Sequence, residues 1–246
     1  MEKAGAVYSS EFFAEQVDGS ATSSAVVVPL VLSLLPVKSV IDVGCGVGPW
    51  AAEFIAHDVP EVWGTDGDYV DRSRLRIPGD RFIARDLTKS LKFDRTFDLA
   101  VCLEVGEHLP GSRAREFVAD LTALAPCVLF SAAVPGQLGT GHINEQYLPY
   151  WIDLFEQQGY QAIDTVRPWI LGNRSVEWWY QQNMVMFVAP GHPLLAKGYP
   201  KPQSIIHQKL YEKASQPLRP FKTLVRGLVA SLRRSFHYIT SGPQRT

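Results

Sequence analysis

At 246 residues, with 46% hydrophobic and 20% charged side chains, the chain has the composition of a globular protein long enough to bury a sizeable core. The net charge of −1 hides a division: residues 201–246 hold nine Lys/Arg against the single acid Glu212, so the body before them is acidic. That argues against nucleic acid as a substrate of the body, because phosphate contacts need a basic face. Cys45, Cys102 and Cys127 stand alone in apolar runs and form neither a disulfide nor a zinc pattern, which fits a cytoplasmic protein. The apolar run 25–37 is short and broken by Pro29 and Pro36, too little for a membrane span.

In chain order, an N-terminal cap over residues 1–36 should hold two helices, a serine-capped one at 9–15 and a second at 20–35. Residues 39–43 read as a buried strand that carries Asp42 and breaks into Gly44, Gly46 and Gly48 ahead of a helix at 50–57. Further strands are expected at 61–66, 80–84, 97–103, 127–133, 160–166 and 184–188, with helices at 113–124 and 144–158. Strands alternating with helices imply a mostly parallel sheet covered on both faces. The last two strands lack a clear helix between them, which suggests that the final one runs antiparallel. The main domain would span 37–190, and 191–246 would form a proline-rich hinge (190–202) and a basic tail. Within that tail, residues 221–238 place apolar side chains at helical spacing with Lys222, Arg226, Arg233 and Arg234 off the stripe. Such a helix suits protein docking or an anionic surface such as the inner membrane face.

The glycine spacing is neither the dinucleotide form nor a phosphate loop. A G-x-G-x-G turn after an acidic strand end resembles motif I of the class I S-adenosylmethionine (SAM) methyltransferases. The resemblance implies a Rossmann-like, seven-stranded, mostly parallel sheet, with SAM held at Gly44, Gly46 and Gly48. Asp42 would orient the turn or receive the SAM ammonium. Asp66, followed by Gly67, closes the second strand 24 residues after Asp42 and would accept both ribose hydroxyls. Asp86, after the third strand, would accept from the adenine amino group while Leu87 packs on the ring. Any one of these aspartates alone would read as a turn or cap residue; their order after the glycines favours the cofactor. The segments 97–101, 103–110, 130–136, 141–146 and 176–183 are also similar to a bacterial group of class I methyltransferases, so that the likeness covers about residues 8–190.

Glu104-x-x-Glu107-His108 places two carboxylates and an imidazole within five residues, and His142 could join them across the cleft. The pattern is similar to the metal site of small-RNA 2′-O-methyltransferases and of ubiquinone-pathway O-methyltransferases. Through that resemblance Glu104, Glu107, His108 and His142 would hold Mg²⁺, Mn²⁺ or another divalent ion that aligns and deprotonates a hydroxyl. In the alternative, Glu104 contacts the methionine part of SAM, and His142 or His108, with Glu107, serves as a metal-free base. Tyr147, Trp178 and Trp179 are candidates for the acceptor wall, since aromatic rings suit a sugar or a flat ring. The resulting expectation is O-methylation of a hydroxyl on a small molecule or saccharide. The competing readings are N- or carboxyl-methylation without metal, and SAM binding without transfer.

Overall fold

The computed structural model describes the backbone of residues 10–215 and side chains from Gly19 onward. The chain divides into two compact units, Met1–His207 and Gln208–Thr246. The described part of the second is a single helix, α7 (Gln208–Ser215). The basic amphipathic stretch 221–238 lies outside the described residues.

In the first unit the elements run α1 (Ser10–Leu34), β1 (Ser39–Val43), α2 (Pro49–Ala56), β2 (Glu61–Asp66), β3 (Phe82–Ala84), β4 (Leu99–Leu103), α3 (Ala114–Leu124), β5 (Cys127–Ser131), α4 (Leu148–Glu156), β6 (Gln161–Ile163), α5 (Arg167–Ile170), α6 (Trp178–Asn183) and β7 (Val185–Val188). The seven strands lie in the order β3-β2-β1-β4-β5-β7-β6. β1 to β5 pair parallel, and β7 pairs antiparallel with both β5 and β6. This is the α/β sheet expected, with its antiparallel last strand.

Period-two alternation divides the core between the two faces of the sheet. Val40, Leu99, Val101 and Leu129 join α1 and α2 on one face through Val27, Val31, Trp50 and Phe54. Ile41, Ala100, Cys102, Val128 and Phe130 join α3 and α4 on the other through Phe117, Leu121, Trp151 and Phe155. Each fully buried large side chain stabilises the fold by about 1.5–3 kcal/mol.

Several bounds differ from the sequence reading, each for a local reason. One helix, α1, replaces the two expected at the N-terminus. Gly19 marks a close approach there and not a break, since a Cβ on it would stand 2.7 Å from Glu177 Oε1. The helix expected at 144–158 starts only at Leu148, because residues 143–146 are held by other backbone: Ile143 and Asn144 N–H donate to Glu107 O and Gln146 N–H to Ala133 O. β6 stops at Ile163, where Asp164 N–H turns to Pro200 O. Residues 178–183, between the last two strands where no clear helix was expected, form α6, whose Tyr180 hydroxyl meets Ser20 Oγ at 3.0 Å and accepts from Trp50 Nε1 at 3.4 Å. The segment read as a hinge packs on the body: Leu194 is buried and Lys201 pairs with Glu156 at 2.7 Å. Among the described residues no helix is long and apolar enough to cross a membrane.

Candidate active site

From β1 the chain runs outward to β2 and β3, then crosses back to β4 on the other side of β1. The strand order reverses between β1 and β4, and ligands of open α/β sheets bind beyond the carboxyl ends of the strands at such a point. The residues singled out in the sequence gather along this rim in two groups.

On the first side, the turn after β1 carries Gly44, Gly46 and Gly48 at φ of +78°, +55° and +82°. Gly44 has no alternative: besides its left-handed backbone, a Cβ would lie 2.3 Å from Val105 Cγ2. The turn is tied to the end of β2. Gly44 and Cys45 N–H donate to Thr65 O, and Gly46 N–H donates to Asp66 Oδ2 at 2.7 Å. Asp66 Oδ1 accepts from Gly67 N–H at 2.6 Å and from the Tyr69 hydroxyl at 2.5 Å. Asp66 is only 5% exposed. Its burial raises the carboxyl pKa, against the lowering effect of those hydrogen bonds. Asp42, equally buried within β1, leaves Oδ2 without a hydrogen-bond partner. Burial, with the Asp66 charge beside it, pushes the Asp42 carboxyl up to about 8.

Asp86 lies further out and is exposed. Its Oδ1 accepts from Thr88 N–H and Oγ1, and it pairs with Lys89 at 3.3 Å. Leu87 is packed in the core with Leu91 and Phe97, and Arg113 Nε donates to its carbonyl at 3.3 Å.

On the second side, β4 ends at Leu103 and Glu104 turns the chain at φ +55°, a left-handed conformation that costs a non-glycine residue about 1–2 kcal/mol. Its N–H donates to Ser131 O and Oγ at 2.9 and 3.1 Å. Gln137 Nε2 donates to Oε2 at 2.7 Å and Asn183 Nδ2 to Oε1 at 3.2 Å; Asn183 also donates to Gln137 Oε1 at 2.9 Å. Burial nonetheless raises the Glu104 pKa.

The 3₁₀ turn Gly106–His108 follows. Glu107 is 0% exposed; its carboxyl makes no well-aligned hydrogen bond, and its nearest polar groups are the Glu107 and Ala133 N–H and the Glu104 carboxyl. Burial, and the Glu104 charge next, raise its pKa well above the ordinary carboxylate range. Its carbonyl, accepting from Ile143 and Asn144, draws the 141–146 segment over the turn. The His108 and His142 rings therefore meet edge to face, 4.8 Å apart. His108 Nδ1 lies 3.3 Å from Gly141 O, an acceptor only, so the ring proton sits on Nδ1 when His108 is neutral. Burial, then His142, lower the His108 pKa to about 4.

Glu107, His108 and His142 each present a ligand atom within 4.8 Å of the others. Three of the four residues proposed for a metal thus converge; the fourth, Glu104, accepts from Gln137 and Asn183 and lies beside the Glu107 carboxyl. Of the aromatic candidates, Tyr147 is half-exposed at the start of α4. Trp178 packs edge-on to Trp179 at 5.7 Å and near the His207 ring, and Trp179 packs against the core of the α1 face. Gln137, Asn183 and the Glu145 partner of His142 were not among the expected site residues. Only the three-residue step from His142 to Glu145, and the place of Asn183 just before the last strand, could have signalled them.

A family described as "Methyltransferase domain" matches residues 16–183. No curated protein matches the chain. Among solved structures, the sugar N-methyltransferase KedS8 from Streptoalloteichus sp. ATCC 53650 superposes with a TM-score of 0.57 at 13% identity, covering 77% of this chain and 98% of its own. CalS10, an amino pentose methyltransferase from Micromonospora echinaspora solved with SAM, gives 0.53 at 16%, covering 74% and 97%. Magnesium protoporphyrin IX methyltransferase from Synechocystis PCC 6803 with bound SAH gives 0.52 at 19%, covering 74% and 88%. The chain belongs to the methyltransferase-domain family and is built on the fold of the SAM-dependent class I enzymes.

Proposed function

We propose that the chain transfers a methyl group to a hydroxyl of a small molecule or saccharide, with Glu107, His108 and His142 on the acceptor side of the cleft. The observation that carries this reading is the Glu107 carboxyl, fully buried, without a well-aligned hydrogen bond, and grouped with the His108 and His142 imidazoles. A carboxylate in that state costs several kcal/mol unless a cation or a proton donor completes it. An acceptor hydroxyl or a divalent ion would do so.

The residues on the first side fit SAM, which supplies the methyl group when bound. Asp66 closes β2 with a buried carboxylate for the ribose, and Gly44, Gly46, Gly48 and Gly67 bring backbone close to it. Asp42 stands beneath the turn, and exposed Asp86 lies at the outer edge for the base, followed by Leu87, which packs into the core. Glu104, fixed by Gln137 and Asn183 at the end of β4, would suit the charged methionine portion. Because methyl transfer from a sulfonium asks little covalent help, the rate would depend on alignment and on loss of the hydroxyl proton. His142 or His108 accepts that proton.

The donor set Glu107, His108 and His142 would fit a divalent ion that accepts imidazole, such as Mn²⁺, better than oxygen-seeking Mg²⁺; when bound, such an ion lowers the pKa of a coordinated hydroxyl. The sugar and amino-sugar methyltransferases that share the fold support a small, hydroxyl-rich acceptor. Half-exposed Tyr147, with Trp178 and Trp179 on α6, would border it.

The test is transfer from methyl-labelled SAM to a panel of sugars, phenols and polyketides, with chelator and with Mg²⁺ or Mn²⁺ restored. O-methylated product supports the reading, and dependence on the restored ion supports the metal. Label on nitrogen or carboxyl alone would replace it with the metal-free alternative. Calorimetric titration showing no binding of S-adenosylhomocysteine would overturn it entirely.

A further inference from the structure

We propose that Glu145 is the positioning residue of this site: its carboxylate holds the His142 ring with the proton on Nδ1 and so makes Nε2 the nitrogen available to a proton or a divalent ion. The inference rests on the reading of Glu107, His108 and His142 given above.

Glu145 is a hub of three donors. Oε1 accepts from Leu138 N–H at 2.8 Å and from His142 Nδ1 at 2.8 Å, and Oε2 accepts from Gly136 N–H at 2.8 Å. A carboxylate has no proton to give, so the shared hydrogen belongs to Nδ1. The loop is bent to build this arrangement. Gly136, Leu138 and Gly141 take φ of +87°, +57° and +75°, and Leu138 does so as a non-glycine residue. Backbone held this way persists where its surroundings over-determine it.

Two further contacts fix the ring. A Cβ on Gly139 would lie 2.1, 2.4 and 2.7 Å from Nε2, Cε1 and Cδ2 of His142, so residue 139 must be glycine for the ring to lie there. Those similar distances put the approach over the ring face, leaving the in-plane lone pair of Nε2 clear of Gly139. The opposite constraint is the edge-to-face contact with His108. A carboxylate behind the second nitrogen of a histidine both sets its tautomer and raises its basicity as a ligand or base.

The test uses the full-length, metal-free protein labelled with ¹⁵N-histidine. Long-range proton–nitrogen correlation, with the His142 signals assigned by their loss in H142Q, should show wild-type Nδ1 protonated and Nε2 bare. In E145Q one amide oxygen cannot serve three donors and the amide N–H can donate to Nδ1, so the two ring positions should exchange character. E145D, which keeps the charge, should restore the wild-type pattern. Mn²⁺ titration followed by water proton relaxation should show affinity about 10–100-fold weaker in E145Q and largely recovered in E145D.

A wild-type His142 protonated on Nε2 would overturn the proposal, as would an E145Q spectrum and Mn²⁺ affinity indistinguishable from wild type. If the wild-type protein takes no Mn²⁺ while the ring pattern behaves as described, the metal part of the earlier reading falls. The positioning role then stands, with His142 as a base.

Discussion

The two sides of the cleft treat their buried carboxylates in opposite ways. On the glycine-turn side, Asp66 receives three donors, all within four residues of it or in the adjoining turn. On the histidine side, Glu107 receives no well-aligned donor. Asp66 is finished by its own backbone, whereas Glu107, its pKa raised by burial, is left as a buried acid awaiting a partner. Local turn chemistry can satisfy a carboxylate at a strand end at little cost. A carboxylate left unsatisfied is tolerable only where binding repays it.

The largest expected effect tests the finished side. Asp66→Asn replaces an oxygen that accepts from backbone with an amide N–H facing another N–H, either at Gly46 or at Gly67. With hydrogen bonds to charged groups worth about 1.5–3 kcal/mol each, loss of the ribose acceptor should weaken S-adenosylhomocysteine binding by at least about 100-fold. Calorimetric affinity within threefold of wild type would remove Asp66 from the cofactor site. Next comes Gly44→Ala, where left-handed strain and collision with Val105 together should cost about 2–4 kcal/mol in urea unfolding. The double variant with Val105→Ala should recover the steric share only. Full recovery would mean that φ at this position is not under constraint.

The same contrast explains what was legible in the sequence. The glycine turn and Asp66 are neighbours through one parallel strand pairing, so an apolar run, three glycines and a strand-ending acid were enough to place them. Glu104, Glu107 and His108 stood out because they are five residues long in the chain. Their partners come from elsewhere: Gln137 and Glu145 from the loop after β5, and Asn183 from the end of a short helix that no clear pattern announced. Amide and carboxylate side chains in such places resemble solvated loop residues until the fold brings them together. The single N-terminal helix was missed for the related reason that Gly19 looks like a break in isolation, and its close approach to Glu177 exists only in the folded chain.

Glu107→Leu reverses the usual sign of a core substitution. In metal-free protein it removes an unpartnered buried carboxylate and puts an apolar side chain in its place, so stability should rise by about 1–3 kcal/mol in urea unfolding. Methyl transfer should fall by at least about 100-fold in the same variant, since the acceptor side loses its carboxyl group. The two readings together are diagnostic, because a residue kept for packing would lose stability and function alike. A variant that unfolds more easily than wild type would show that Glu107 is satisfied after all, and the contrast between the sides would collapse.

The smallest effect, taken over one pH unit, belongs to Asp42, the acid on the glycine-turn side that resembles those opposite. Its folded pKa of about 8 lies above the ordinary value of 3.8. Between those values the folded chain keeps a proton that the unfolded chain has released. This group's contribution to stability is therefore complete below about pH 4 and is lost as pH rises through 8. The difference in unfolding free energy between wild type and Asp42→Asn should decline across that window, with a limiting slope of about 1.4 kcal/mol per pH unit, and level off above it. A flat difference would mean that the side chain is ionised and paired in the fold. Cofactor sharpens the experiment: if a SAM ammonium lies beside Asp42, saturating S-adenosylhomocysteine should favour the carboxylate and move the decline to lower pH. A decline that stays in place with ligand bound would take Asp42 out of the cofactor site while leaving it a buried acid.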